Sequence, residues 1–414
     1  MLLERLSSEL GHRANDGLER CRRIAESPCA AHQSFAFDAQ HMSEGDLSSR
    51  KPTLGFGSND YLGLANHPEV VAAYADGAKR YGGGGGSSHL VGGHSRAHEE
   101  LETRLAGLLT KQIPDVNALF FSSGYMANVS VLTALGDRSS AIFADKLNHA
   151  SLIDGALLAR AKSHRYPHGQ LHVLRNQLSE SDSQVKLIVT DAVFSMDGDV
   201  ADIPSLLKLA KEFDAWLVVD DAHGFGVLGE NGKGSLSHFG LYSERFIYIG
   251  TLGKAAGVAG AFVAAHRIVI DWLMQTARGY IYTTATPPAV PHALCVSLDV
   301  LAGDEGEKRR CHLKDIIHAT REGIEGIVRA HPHLHWSLGD SLTAIQPLLI
   351  GDNRETLAVA SRMQNRGIWT PAIRPPTVPA GTARLRISLS AAHSMSDVEE
   401  LISGLSKVAR EHVQ

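Results

Sequence analysis

Lys254 closes the run Phe246-Ile-Tyr-Ile-Gly-Thr-Leu-Gly, a short apolar strand pattern that breaks into small residues just before the lysine. Upstream, Trp216-Leu-Val-Val ends a second apolar run in Asp220 and Asp221, with His223 one step into the loop. An amine at one strand end and an acid with a histidine at another are the parts of a pyridoxal phosphate (PLP) site. The lysine bonds the cofactor as a Schiff base, and an acid keeps the pyridine nitrogen protonated so that the ring withdraws electrons. Asp220, three residues before the histidine, is the expected partner of that nitrogen. A lone lysine is usually surface decoration and an isolated Asp-Asp usually caps a helix; the coincidence of the three at strand ends carries the reading.

A phosphate needs donors. Ser122-Ser-Gly-Tyr-Met-Ala-Asn follows the strand pattern Leu119-Phe-Phe and leads into a helix, whose first amides can hold an anion; Gly124 and Tyr125 are the central candidates, and the Thr251 hydroxyl is a further one. His149, in Asp145-Lys-Leu-Asn-His after another strand pattern, offers a flat ring that can stack on a cofactor. The glycine run Gly82–Gly86 before Ser87-Ser88-His89 reads as an active-site loop, because it lacks the strand context of a dinucleotide fingerprint. His331-Pro-His-Leu-His has no acid or cysteine beside it, so it reads as a solvated loop, and no metal site is expected.

The elements that must position these residues alternate. Leu119-Phe-Phe, Ala141-Ile-Phe-Ala, Leu187-Ile-Val-Thr, Trp216-Leu-Val-Val and Phe246-Ile-Tyr-Ile are apolar runs bounded by Gly, Ser, Asp or Asn, as buried parallel strands are. Between them lie helical patterns such as Ala97 to Leu109. The alternation predicts a wound α/β sheet with ligands at the carboxyl ends of its strands. Three regions are expected: an N-terminal helix and extension over 1–52, with Leu3, Leu6 and Leu10 at helical spacing; a large α/β domain over 53–290; and a small α+β domain over 291–414. In the last, Ala344-Ile-Gln-Pro-Leu-Leu-Ile and Arg384-Leu-Arg-Ile-Ser-Leu alternate as half-exposed strands do.

The bulk composition excludes other classes. The 414 residues carry a net charge of −5 without a block of like charge, so neither nucleic acid nor a membrane surface is an expected partner. Glu4 and Arg5 interrupt any apolar leader, and Ala255 to Ala265 is too short and too rich in Ala and Gly to span a bilayer. Four scattered cysteines without a CxxC pair fit reduced thiols in the cytoplasm.

Taken together, Ser58-Asn-Asp-Tyr-Leu-Gly-Leu, Gly124-Tyr-Met-Ala-Asn, Phe194-Ser-Met-Asp-Gly-Asp, Asp220-Asp-Ala-His-Gly and Thr251-Leu-Gly-Lys resemble the α-oxoamine synthase family of fold-type I PLP enzymes, over a stretch from about Asn59 to His393. The resemblance implies a mostly parallel, seven-stranded-type sheet with helices on both faces, and an acyltransferase that joins an amino acid to an acyl thioester with loss of CO2. Ala372-Ile-Arg-Pro-Pro-Thr-Val-Pro-Ala-Gly-Thr-Ala-Arg-Leu-Arg resembles the biotin-pathway branch, which implies L-alanine and pimeloyl-CoA or pimeloyl-acyl carrier protein as substrates. Glycine-using members of the family share the PLP residues, and a PLP-fold binding protein without activity is the reading outside enzymes.

The family's roles fall on matching positions. Lys254 is implied as the Schiff-base lysine, Asp220 as the partner of the pyridine nitrogen and His149 as the ring that stacks, with Ser195 and His223 on the ring substituents. Gly124, Tyr125 and Thr251 are implied on the phosphate side, with Thr284 supplied by the other subunit of a homodimer. Arg386 would clamp the amino-acid carboxylate with Asn59 near it, Thr377 would contact the acyl substrate, and Arg20, with Arg22 and Arg23 as the alternatives, would be the family's N-terminal substrate-binding arginine. Asp191 stands where relatives often carry Glu and is left outside the expected site.

Overall fold

The computed structural model describes residues 1–20, 22–37 and 52–411. Most of the polar stretch before Pro52, and Cys21, lie outside the described residues. By packing, the chain divides into two units: residues 62–195 with 199–310, and residues 1–61 with 196–198 and 311–414.

The larger unit is built on seven strands: β1 (Val116–Phe121), β2 (Ser140–Asp145), β3 (Lys162–Tyr166), β4 (Val185–Asp191), β5 (Ala215–Asp220), β6 (Phe246–Thr251) and β7 (Ala261–His266). They lie in the order β1-β7-β6-β5-β4-β2-β3. Only β7 runs antiparallel to its neighbours. Helices such as Gly124–Leu135, Ala150–Leu158 and Ile203–Glu212 connect successive strands. The central strands are covered on both faces, which is why they read as unbroken apolar runs. Phe143, Ile188, Leu217 and Ile249 are wholly buried, each such side chain contributing about 1.5–3 kcal/mol. Two strands escaped the sequence pattern. β3 is a polar edge strand, three of its five residues exposed, and β7 hides in the Ala- and Gly-rich run that follows Lys254.

The smaller unit holds a four-stranded antiparallel sheet of β8 (Ser337–Leu338), β9 (Ile345–Gly351), β10 (Ala372–Ile373) and β11 (Ala383–Ser388), in the order β8-β9-β11-β10. Helices Asn353–Gln364 and Met395–Glu411 belong to the same unit. The expected half-exposed alternation is absent from β11, where all six residues are buried, and nearly absent from β9. Its arginines are buried because they have partners, described below.

The expected boundaries at 52/53 and 290/291 fall inside these units. Strand His32–Gln33 pairs with Thr53–Gly55, which also pairs with Ile368–Trp369, so the N-terminal stretch is built into the smaller unit. Helix Ala289–Ala302 packs on Pro68–Tyr81 and Arg96–Leu108 and belongs to the larger one. The N-terminal helix spans Leu2–Asn15 and buries none of its side chains; Leu3, Leu6 and Leu10 are exposed. No described helix is long and apolar enough to cross a membrane.

Candidate active site

Because β1 and β6 both run antiparallel to β7, and β2, β3, β4 and β5 run parallel to β6, six strands present their carboxyl ends at one edge of the sheet. The expected cofactor residues come from those ends: Gly124 after β1, His149 after β2, Ser195 after β4, Asp220 and His223 from β5, and Thr251 and Lys254 from β6. With Tyr125, Asn128, Ser151, Asp191 and Ala222 they line a cleft of about 170 Å³ in the larger unit.

Lys254 Nζ lies 2.8 Å from His223 Nε2. Asp220 is buried, one oxygen accepting from Asn128 Nδ2 at 2.5 Å and the other from the Ala222 amide at 3.0 Å. Asn128 Nδ2 also donates to Ser151 Oγ at 2.8 Å, and Ser151 Oγ stands 2.7 Å from His149 Nδ1. The His149 backbone amide donates to Asp191 Oδ2 at 2.6 Å. Burial leaves the His149 imidazole below its ordinary pKa, Asp220 pulling it back up and Lys254 pushing it down, which favours the neutral ring that stacking uses. Asp191 is pushed well above the usual carboxylate range by burial and then by the charge of Asp220, its neighbour in register on β5.

Alternation along a strand separates the adjacent acids. Asp221 does not line the cleft. Its Oδ2 accepts from the Ser235 amide at 2.5 Å and from the Tyr248 hydroxyl at 2.8 Å, and burial raises its carboxyl to about 7.

Gly124 opens helix Gly124–Leu135, with Ser123 Oγ accepting from the Met126 amide. A Cβ on Gly124 would stand 2.9 Å from Thr251 Oγ1; its absence leaves the helix N-terminus and that hydroxyl open to one anion. Tyr125 is half exposed and its hydroxyl bonds Asp154. An amine, a buried acid held by two donors, a neutral flat ring and an anion cradle fit pyridoxal phosphate.

The comparisons agree. The sequence profile of the family described as aminotransferase class I and II matches residues 51–405. An 8-amino-7-oxononanoate synthase 2 of Polaromonas sp. is 60% identical over 411 residues, covering 99% of this chain and 100% of its own. That of Leptothrix cholodnii is 59% identical with the same coverage. The chain belongs to the 8-amino-7-oxononanoate synthase family, within the class I and II aminotransferases. Among solved structures, the 8-amino-7-oxononanoate synthase of Francisella tularensis matches with a TM-score of 0.73 and 30% identity, over 87% of this chain and 99% of that one. A lysine-to-alanine variant of the serine palmitoyltransferase of S. paucimobilis, solved with a bound PLP–myriocin aldimine, matches with a TM-score of 0.87 and 25% identity, over 98% and 97%. These are α-oxoamine synthases, and pyridoxal phosphate is the cofactor of this chain.

In this α-oxoamine synthase Thr284 is not in the Lys254 cleft. It bridges to Ser88 and lines a small crevice with His89, Tyr280 and Thr283. The Gly82–Gly86 loop lies with it: the Ala285 amide donates to Ser87 O, and a Cβ on Gly85 would stand 2.4 Å from Ala285 O.

The residues expected on the substrate side belong to the smaller unit. Arg386 Nη1 donates to Asn59 Oδ1 at 3.2 Å and to Ser388 Oγ at 2.7 Å, and the Tyr61 hydroxyl also donates to Asn59 Oδ1. Arg384, two positions away, is buried against Asp197 at 2.5 Å and the Met196 carbonyl at 3.2 Å. Thr377 and Arg20 are exposed, and Arg20 is close enough to Arg374 to add its charge to the burial that lowers the Arg374 pKa.

Sequence reading missed Asn128, Ser151 and Asp191. Asn128 had a signal: it stands four residues after Gly124, one helical turn on, inside a motif already singled out. Asp191 had been set aside because relatives often carry Glu at its place, and Ser151 had no signal beyond its place near a strand end.

Proposed function

We propose that this chain condenses L-alanine with a pimeloyl thioester, carried by CoA or by acyl carrier protein, to give 8-amino-7-oxononanoate, CO2 and the free thiol in biotin biosynthesis. The observation that carries the reading is the full-length identity of 60% to a relative bearing that name. Homodimeric assembly in the cytoplasm belongs to the same reading.

Bound in the cleft, pyridoxal phosphate supplies an electron-withdrawing ring that accommodates the electron pair left when a proton leaves the amino acid's α-carbon. The chain does the rest. Lys254 would anchor the cofactor, and its free amine would take the α-proton and later return one; His223 at 2.8 Å orients that amine. Asp220, fixed by Asn128 and the Ala222 amide, holds a proton on the pyridine nitrogen. His149, anchored through Ser151 and Asp191, covers one face of the ring. Ser195 and His223 contact the ring substituents, Gly124, Tyr125 and Thr251 hold the phosphate, and Thr284 of a second copy completes that side. Arg386 with Asn59 binds the alanine carboxylate, Thr377 contacts the acyl substrate, and Arg20 serves as the N-terminal substrate-binding arginine. A C–C bond forms to the thioester carbonyl as its C–S bond breaks, and the former alanine carboxylate then leaves as CO2.

The deciding experiment offers the purified enzyme alanine or glycine with pimeloyl-CoA or acetyl-CoA. Formation of 8-amino-7-oxononanoate from alanine and pimeloyl-CoA alone is expected. Preference for glycine and acetyl-CoA would assign the chain to the glycine-using synthases instead.

A further inference from the structure

Outside the cleft, one group of histidine and acid ligands among the described residues brings three donor atoms within 4.8 Å of one another: His94, Glu99 and Glu102. His94 Nε2 stands 3.1 Å from Glu99 Oε2 and 3.9 Å from Glu102 Oε2. We propose that these three side chains form a binding site for one divalent transition-metal ion of the zinc class, separate from the catalytic centre.

The backbone places the ligands. The loop before His94 closes on itself, with the Val91 and Gly93 amides both donating to Ser88 O. Gly92 has a φ of +117°, and a Cβ on Gly93 would lie 2.0 Å from Ser87 O, so only glycine allows so close a return. Ser95 then caps helix Arg96–Leu108, its side chain accepting from the His98 amide while the His98 ring accepts from the Ser95 amide. His94 therefore immediately precedes a fixed cap. Glu99 and Glu102, three apart on the helix, share the adjoining face.

The donor set suits such an ion. Nitrogen and oxygen ligands each about 2.0–2.2 Å from one zinc stand roughly 3–4 Å apart, and the two His94–glutamate distances of 3.1 and 3.9 Å match that spacing. Two carboxylates and a neutral imidazole balance a double positive charge, and three protein ligands leave a position for water.

Neighbouring groups orient the ligands as metal sites require. His94 Nδ1 lies 3.0 Å from His89 Nδ1, so one of them carries the shared hydrogen. When His94 ligates through Nε2, that hydrogen sits on its Nδ1 and is donated to His89. His89 is buried and stacks on Tyr280 at 4.6 Å, which fixes its ring in place as the acceptor. Glu102 Oε1 accepts from the Phe120 amide at 2.8 Å, which turns Oε2 toward His94.

The His331-Pro-His-Leu-His run considered from sequence has no such support: His331 and His333 merely meet edge to face at 5.8 Å. It provides the control. Chelator-treated holoenzyme is dialysed against Zn2+ and the bound metal counted. One ion per chain is expected, with His94→Gln and Glu99→Gln each weakening its affinity about tenfold or more and His333→Gln leaving it unchanged. Both test side chains reach solvent, and thermal melts without metal confirm that the variants fold. Retention of wild-type Zn2+ affinity by His94→Gln and Glu99→Gln, or failure of the wild type to retain one ion per chain, would overturn the site.

Discussion

Lys254 Nζ and His223 Nε2 stand 2.8 Å apart at the ends of β6 and β5, two adjacent parallel strands. A hydrogen bond between an amine and an imidazole gives the amine a fixed direction, which a lysine that must exchange protons needs. Lys254→Ala removes both the cofactor anchor and that proton carrier. Turnover should fall by about 10²–10⁴-fold or more, while circular dichroism stays that of the wild type. Substantial activity in the purified variant would remove Lys254 from its assigned role.

The two adjacent acids should separate by phenotype. Asp220→Asn should cut turnover by orders of magnitude with little change in melting temperature, because the cleft loses the charge that favours a protonated pyridine nitrogen. Asp221→Asn disturbs the bonds from Ser235 and Tyr248 instead, and should cost about 1–3 kcal/mol of stability. Paired melting and kinetic measurements check both; reversed phenotypes would exchange the two assignments.

His168 sits between Asp145 at 3.1 Å and Asp199 at 2.8 Å, and those hydrogen bonds raise its pKa from 6.5 to about 10. The folded value exceeds the unfolded one, so the stabilisation is fully present below about pH 6.5 and is lost as the pH rises through 10. His168→Gln should therefore lower stability by about 1.5–3 kcal/mol at pH 6, with the gap closing toward pH 10. A gap independent of pH would mean that packing against Phe194, not charge, sets the effect.

Arg386 and Arg384 share a strand and a face but not a partner. Arg386→Ala should leave cofactor binding intact and weaken L-alanine binding at least about tenfold, since a truncated arginine–carboxylate pair costs roughly 2–5 kcal/mol. Arg384→Ala removes a buried side chain and its hydrogen bonds to the partly exposed Asp197 and the Met196 carbonyl and should lower stability by about 1–3 kcal/mol with a much smaller effect on alanine affinity. Calorimetric titration and thermal melts distinguish them. Equal loss of alanine binding in both would return the strand to a purely structural role.

Dimerisation with shared sites is tested by mixing. Thr284→Ala and Lys254→Ala chains, each impaired alone, should regain activity in heterodimers that hold one intact site. A fully active monomer by light scattering would contradict the arrangement.

The sequence alone determined the chemistry. Lys254, Asp220, His223, Gly124 and Thr251 stand at the ends of apolar runs, and a parallel strand buried on both faces must be apolar while its carboxyl end is free to carry function. Local spacing was enough for that. It was not enough for β3, whose polar edge position imposes no apolar run, nor for the arginines of β11, which look like a solvated face until Asp197 and Asn59 are placed beside them. Asp191 shows the limit best. It meets Asp220 only because β4 and β5 pair in register, and that pairing is a long-range choice of the sheet. Asn128, Ser151 and His149 likewise became one network through the order of the strands, which no local pattern encodes.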